Sequence, residues 1–409
     1  MKRFNNVSDG INWIQVQKRF LGNKDLNKLT NALNKLNLNL NPIKKIHILG
    51  TNGKGSTQAF ISNILKNKGY KVGSFTSPYL IKFNERIKIN NENISDIDLL
   101  NLINFIYKFN LENNYNLSFF ELLTLMSLKH FSDTNCDVII MEAGIGGRLD
   151  STNIMNYDQT IITSVGFDHK NILGNKIEQI ATEKVGALKD NNTLIIYNNN
   201  KYNDVIMKRV SLTKSDLILL EYDQIKLINN NYYYKNYKIN LNMLGKHQVY
   251  NSVLALNSVY NLFGIEIEDM IKDINETSWP GRFEKIKQNV YIDGAHNIDA
   301  IKALIETIND NFKNLKINII FSALKDKDIS PMIKLLQKEN YNIKLTSFVD
   351  PRFASLKEYE TINTPYIENI NEIIKNINED EITVFTGSIH FIGYVKELFN
   401  NENNISYWW

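Results

Sequence analysis

One stretch of the sequence is built for phosphate: Gly50-Thr51-Asn52-Gly53-Lys54-Gly55-Ser56-Thr57. Glycines let the backbone wrap an anion, so that successive N–H groups face its oxygens. An apolar run, Ile46-His47-Ile48-Leu49, precedes the loop, and a helical pattern from Gln58 to Lys66 follows it. The helix adds the positive end of its dipole. Lys54 supplies a mobile charge for the β- and γ-phosphates, and a Ser56 or Thr57 hydroxyl can ligate Mg²⁺. The spacing departs from the common P-loop, because Gly55 separates Lys54 from Ser56.

Other candidates sit where apolar runs end. Asp137 to Met141 ends at Glu142, where an ATP-hydrolysing fold holds a metal-binding carboxylate. An acid there is equally compatible with a plain turn. The following Gly144-Ile145-Gly146 imitates a dinucleotide fingerprint, but its third glycine and acidic partner are missing. Asp168-His169 follows the run Thr160 to Val165. Imidazole can ligate Mg²⁺, although oxygen is the commoner donor, so a structural histidine competes. Glu183-Lys184 reads by default as a solvated helix face. Gly245–Asn251, Trp279–Phe283 and Asp293-Gly294-Ala295-His296-Asn297 complete the set. The last, at a strand end before a helix, suits a nucleotide contact, and each can also be turn chemistry.

These residues need elements to hold them. The segment up to about Lys45 reads as helical, with Ile11, Ile14, Val16, Phe20 and Leu21 at helical spacing. Strands at 46–49, 71–75, 137–141 and 160–165 then alternate with helices near 58–66, 97–110 and 120–131. That alternation predicts a doubly wound parallel α/β domain with functional residues at the carboxyl ends of its strands. From Thr193 to Asn242 the short tyrosine-rich segments, such as Tyr232-Tyr233-Tyr234, predict an antiparallel extension. A break at Ser278-Trp279-Pro280-Gly281 marks the boundary between domains at 1–277 and 278–409. Beyond it, strands at 290–292, 317–321, 343–348 and 382–385 alternate with helices, predicting a second, smaller α/β domain.

Composition narrows the class. The chain is 43% hydrophobic and 22% charged, which excludes a mostly disordered protein. Its 47 basic and 44 acidic residues leave +3, giving no polybasic face for nucleic acid or a membrane surface. Cys136 is the only cysteine, so neither a disulfide framework nor a Cys-rich metal site is available. No apolar run nears the ~20 residues of a membrane span, and Met1 to Phe20 has no signal-peptide core. The expectation is a cytoplasmic protein with small-molecule partners.

Taken in order, Gly50–Thr57, Thr76–Leu80, Glu85-Arg86-Ile87, Phe119-Phe120-Glu121, Glu142–Asn153, Asp168-His169, Glu183-Lys184, His247–Asn251, Gly281-Arg282 and Asp293–Asn297 resemble the folylpolyglutamate synthase/dihydrofolate synthase family of the Mur ligase superfamily. Weaker echoes follow in Lys325–Asp328 and Gly387–His390. The resemblance implies a P-loop-type central domain, a C-terminal glutamate-ligase domain, and ATP between them. It implies a monomer that joins L-glutamate to a folate or dihydropteroate carboxylate through an acyl phosphate. Asn52, Gly53, Lys54, Gly55, Ser56 and Thr57 would hold ATP, joined by Asn251, Arg282, Asp293 and His296. Ser56, Ser77, Glu142, His169 and Lys184 would hold two Mg²⁺ ions, Lys184 as a carbamate, which inverts its charge. Lys54, Lys184, His169 and Arg282 would be catalytic. Ser118, Phe120, Leu149 and Asp150 would line a pterin site to which the stretch Phe20 to Asn34 contributes. Arg282 and Asp293 would complete the site on domain closure, which excludes water from the acyl phosphate.

Two other readings compete. A Mur ligase acting on a cell-wall nucleotide peptide is disfavoured by Phe119-Phe120-Glu121 and Leu149-Asp150, which match the folate branch. The roughly 45 residues before the loop also leave no room for a uridine-nucleotide domain. A nucleotide-binding switch would have no use for Glu142, His169 and Lys184 together.

Overall fold

The computed structural model describes residues 4–18, 25–325, 327–350, 352–353 and 364–402. Phe20 and Leu21 of the expected opening helix, and Asp326, lie outside the described residues. By contact density the chain divides into two units, Met1–Leu241 with Val249–Thr277, and Asn242–Gln248 with Ser278–Trp409.

In the first unit, short β-branched runs form β1 (Lys44–Leu49), β2 (Val72–Phe75), β3 (Ile87–Ile89), β4 (Glu92–Asn93), β5 (Val138–Glu142), β6 (Gln159–Ile162), β7 (Thr193–Tyr197) and β8 (Asp216–Leu220). They make one sheet in the order β4-β3-β2-β5-β1-β6-β7-β8. From β2 to β8 the neighbours are parallel, and β3 and β4 add an antiparallel edge. Every residue of β2 and β5 is buried, as expected for strands covered on both faces. The unit's helices are α1 (Val7–Gln15), α2 (Asn27–Leu36), α3 (Lys54–Asn67), α4 (Asp96–Glu112), α5 (Phe119–Asp133), α6 (Lys170–Leu173), α7 (Ile177–Val185), α8 (Asn203–Thr213), α9 (Lys246–Phe263), which belongs to this unit from Val249 onward, and α10 (Ile267–Glu276). Phe75, Ile139 and Met141 of the sheet pack with Leu122, Leu125 and Phe131 of α5 in one apolar cluster. Ser95 caps α4, and Ser118 with Glu121 forms a capping box on α5.

The antiparallel reading of Thr193 to Asn242 is corrected in its first half. Thr193–Leu220 is another βαβ unit, in which β7 and β8 extend the parallel sheet on either side of α8. The runs Leu194–Tyr197 and Leu217–Leu220 are long and apolar enough to pair in the main sheet. Only β9 (Ile225–Ile228), β10 (Asn231–Tyr234) and β11 (Tyr237–Ile239) form an antiparallel sheet of their own.

The second unit is built on β12 (Glu284–Lys287), β13 (Val290–Ile292), β14 (Ile317–Phe321), β15 (Asn342–Thr346), β16 (Tyr366–Ile367) and β17 (Ile382–Thr386), in the order β12-β13-β17-β14-β15-β16. Its helices are α11 (Ile298–Asn311), α12 (Ile329–Leu336), α13 (Ile370–Lys375) and α14 (Ile389–Glu402). β12 pairs antiparallel and the rest are parallel. The molecule is thus a mixed α/β protein with a large and a smaller sheet. Among the described residues no helix is long and apolar enough to cross a membrane.

Candidate active site

The glycine loop joins β1 to α3 and is stitched to the exit of β6. Thr51 N–H donates to the Ser164 carbonyl at 3.0 Å, and Asn52 N–H to Ser164 Oγ at 2.9 Å. The Asn52 carbonyl accepts from the Thr163 and Ser164 hydroxyls. Gly53 stands at φ +89°, and a Cβ there would come 2.4 Å from Asn251 Oδ1. Both facts require glycine. Helix α3 then starts at Lys54 with no side-chain cap on its first turn, which leaves those N–H groups for an anion. Ser56 and Thr57 are buried in that turn, and the Thr57 hydroxyl has no partner among the described residues.

Lys54 Nζ donates to the Gly50 carbonyl at 3.2 Å and lies 3.9 Å from Glu142 Oε1. The other carboxylate oxygen of Glu142 accepts from Ser77 N–H at 3.2 Å. Glu142 ends β5, paired in register with Ile48 of β1, so parallel pairing alone brings the carboxylate beside the loop. Ser77 follows β2 on the same edge. His169 is the N-cap of α6 in the left-handed conformation, φ 49° and ψ 42°, a sparsely populated state for a non-glycine residue. Its Nε2 is 3.9 Å from Asp168 Oδ1.

Lys184 is where the default reading of Glu183-Lys184 fails. Lys184 is only 2% exposed in the last turn of α7, whereas Glu183 reaches outward to Arg148 at 2.8 Å. Burial, and then the charge of Lys54, lower the Lys184 pKa from about 10.5 to about 7; Asp168 and Asp150 pull the other way. The structure therefore brings Lys184 into the electrostatic range of Lys54, Asp168 and Asp150.

Among the described residues no three His, Cys, Asp or Glu side chains gather as a metal cage. The expected donor set contains only two of these types, Glu142 and His169; Ser56, Ser77 and Lys184 supply hydroxyls and an amine. Hard cations prefer oxygen. By donor chemistry Glu142 and the two serine hydroxyls would suit such an ion, and Lys184 would join it only as a carbamate.

Of the expected pterin residues, Phe120 and Asp150 meet at the loop after β5. Phe120 lies so close to Gly144 that a Cβ there would sit 2.9 Å from its ring. Asp150 is buried and fully engaged: Oδ2 accepts the N–H groups of Gly144 and Ile145, each at 2.9 Å, and Oδ1 accepts both the N–H and the hydroxyl of Thr152. Burial raises the Asp150 pKa against these donors. Ser118 spends its backbone N–H on Glu121 at 2.7 Å, and Leu149 is half-buried beside Asp150.

In the second unit Arg282, Asp293 and His296 share one neighbourhood. Arg282 Nη1 occupies the space a Cβ on Gly294 would need, at 2.4 Å. Asp293 accepts from Phe283 N–H and Ala295 N–H, each at 2.9 Å. Burial raises its pKa, and the Arg282 charge opposes the rise. His296 Nδ1 lies 2.7 Å from the Gly294 carbonyl.

Two positions escaped assignment from sequence. Glu85 gathers the N–H groups of Leu80, Ile81 and Lys82 at 2.8 to 3.0 Å and so shapes the loop after Ser77. Arg86 is buried among the rings of Tyr79, Phe83 and Phe119, 5.0 to 5.6 Å from their centroids. The only signal was the Glu-Arg pair itself, and its named partners lie on the adjacent stretch Tyr79–Phe83 and on the distant Phe119.

A phosphate loop, a strand-end acid and two α/β units define the class of ATP-dependent Mur-type ligases. Residues 48–259 match the Mur ligase middle domain, and residues 281–389 match the Mur ligase glutamate ligase domain. The dihydrofolate synthase/folylpolyglutamate synthase of Bacillus subtilis is 33% identical over 96% of this chain and 99% of its own. A folylpolyglutamate synthase structure from Thermotoga maritima superposes with a TM-score of 0.82 at 27% identity, covering 97% of both chains. A bifunctional folylpolyglutamate synthase/dihydrofolate synthase from Yersinia pestis, complexed with AMPPNP and Mn, shares the fold with a TM-score of 0.86 at 21% identity, over 98% of this chain and 100% of that one. The chain belongs to the folylpolyglutamate synthase/dihydrofolate synthase family.

Proposed function

We propose that this protein is an ATP-dependent carboxylate–amine ligase that joins L-glutamate to a folate-type carboxylate, as folylpolyglutamate synthase, dihydrofolate synthase or both. The observation that carries this reading is the meeting of Lys54, Ser77 and Glu142 at the head of α3, with the buried Lys184 within range of Lys54. That grouping suits phosphoryl transfer to a carboxylate and exceeds what a nucleotide binder needs.

A carboxylate is a poor electrophile, and ATP activates it as an acyl phosphate. The first-turn N–H groups of α3, with Asn52, Gly53, Gly55 and Thr57, hold the phosphates, and the Lys54 ammonium follows the transferring group. Asn251 of the first unit and Arg282, Asp293 and His296 of the second are nucleotide contacts. Ser56, Ser77, Glu142, His169 and carbamylated Lys184 would hold Mg²⁺ at two sites. The metal, when bound, neutralises phosphate charge. The glutamate amine then attacks the acyl carbon, and phosphate leaves. Ser118, Phe120, Leu149 and Asp150 bind the pterin end. The ATP- and pterin-binding domain spans 1–277 and the glutamate-ligase domain 278–409. The enzyme works as a cytoplasmic monomer on small molecules, without nucleic acid or membrane.

The test is phosphate release from MgATP with glutamate, offering dihydropteroate and tetrahydrofolate separately. Release that depends on both glutamate and one of these acceptors is expected. Release independent of glutamate, or absent with both acceptors, would refute the reading.

A further inference from the structure

His47 is sealed from solvent on β1, and the reaction above does not use it. Its ring lies flat on Tyr157, with centroids 4.3 Å apart and planes 10° apart. Its Nε2 is 2.7 Å from Thr152 Oγ1. Thr152 Oγ1 is in turn 2.6 Å from Asp150 Oδ1. Asp150 Oδ2 holds the N–H groups of Gly144 and Ile145. One chain of polar contacts thus runs from β1, a central strand of the sheet, to the loop that leaves β5 just after Glu142.

The direction of the protons follows from Nδ1, which is buried and has no partner among the described residues. A buried lone pair without a donor is tolerated better than a buried N–H without an acceptor. The neutral imidazole therefore carries its proton on Nε2 and donates it to Thr152 Oγ1. The single Thr152 hydroxyl proton then points to Asp150 Oδ1. Burial, helped by the charge of Lys189, lowers the His47 pKa to about 3, so the ring stays neutral at working pH.

We propose that His47 is a positioning residue: its Nε2–H orients the Thr152 hydroxyl, which aims Asp150 at the Gly144–Ile145 backbone and so shapes the surface against which the pterin binds. This rests on the reading of Phe120, Leu149 and Asp150 as that surface. The competing arrangement is a reversed tautomer. Thr160 stands opposite His47 in the β1–β6 register, its hydroxyl is also buried with no partner among the described residues, and it could accept an Nδ1–H.

The experiment combines ¹⁵N-histidine NMR of the full chain with kinetics of H47L and H47Q. The His47 signal, assigned by its loss in H47Q, is expected to show the Nε2–H tautomer and no titration between about pH 5 and pH 9. H47L should raise KM for the folate substrate about tenfold, equivalent to about 1.4 kcal/mol or one buried hydrogen bond. Its kcat and KM for ATP should stay within about twofold. H47Q, whose amide N–H can reach the Nε2 position, should recover most of the loss. An Nδ1–H tautomer overturns the proposal. So does an unchanged folate KM in H47L when F120A raises it. Unchanged folate KM in both variants refutes the pterin assignment instead, and the tautomer then decides whether His47 orients Thr152. If H47L does not fold, H47Q and the wild-type spectrum decide.

Discussion

Replacing Lys184 with methionine should stabilise the protein while abolishing its activity. Lys184 is 2% exposed, and its pKa is lowered from about 10.5 to about 7. At pH 7.5 about three quarters of such a group is neutral, against about one part in a thousand for an ordinary lysine. Only the neutral amine adds CO₂, so the site raises the reactive fraction several hundredfold. The same shift acts on folding. The unfolded chain binds the proton up to about pH 10.5 and the folded chain only up to about 7, so stability rises with pH between these values. The burden relative to an apolar residue is therefore roughly 4 kcal/mol at pH 7 and roughly 2 kcal/mol at pH 9. Thermal melts of wild type and K184M in CO₂-free buffer should show the variant more stable at pH 7, with the gap narrowing by pH 9. In parallel, ¹³C-bicarbonate should give a carbamate signal in wild type that K184M lacks. CO₂ depletion should lower wild-type activity, and bicarbonate should restore it. A gap that does not change with pH would refute the neutral buried amine. Full activity in K184A would refute the carbamate role, as would its failure to recover partly with a short carboxylic acid if the variant is inactive.

The other expectations are simpler. Lys54→Ala should lose ligation by at least about a hundredfold with an unchanged melting curve, because its ammonium donates to the Gly50 carbonyl and lies 3.9 Å from the Glu142 carboxylate at the surface of the loop rather than in the apolar core; normal turnover would contradict the phosphate-loop assignment. Gly53→Ala meets both a positive φ and Asn251 Oδ1 at 2.4 Å, so its affinity for ATP, read by calorimetry, should fall by at least about tenfold, the result of 1–3 kcal/mol of strain. Gly144→Ala pushes against the Phe120 ring and should raise folate KM more than ATP KM in steady-state assays. Chelation with EDTA should abolish phosphate release, and Mg²⁺ or Mn²⁺ should restore it; activity persisting in EDTA would exclude the oxygen-donor metal site.

The sequence by itself determined the elements and the chemistry of the glycine loop. Short apolar runs rich in β-branched residues, such as Val138–Met141, point to buried strands by length and composition, and Gly50–Thr57 carries its phosphate logic in residue types at fixed spacing. Local patterning missed the β7–α8–β8 unit, because the tyrosine-rich alternating stretch that follows it, Tyr222 to Tyr237, was read back over two apolar strands. Three things were decided only by the tertiary structure. Glu142 lies beside Lys54 because β1 and β5 pair in parallel, although the residues are far apart in the chain. Lys184 is buried because the last turn of α7 faces inward, while its neighbour Glu183 pairs with Arg148 outside. His47, one polar residue in an apolar run, acquires meaning only once Thr152 and Asp150 fold over it. The reason is common to all three. Burial and electrostatic range depend on distance in space, and no one-dimensional pattern encodes the distance between residues on different strands.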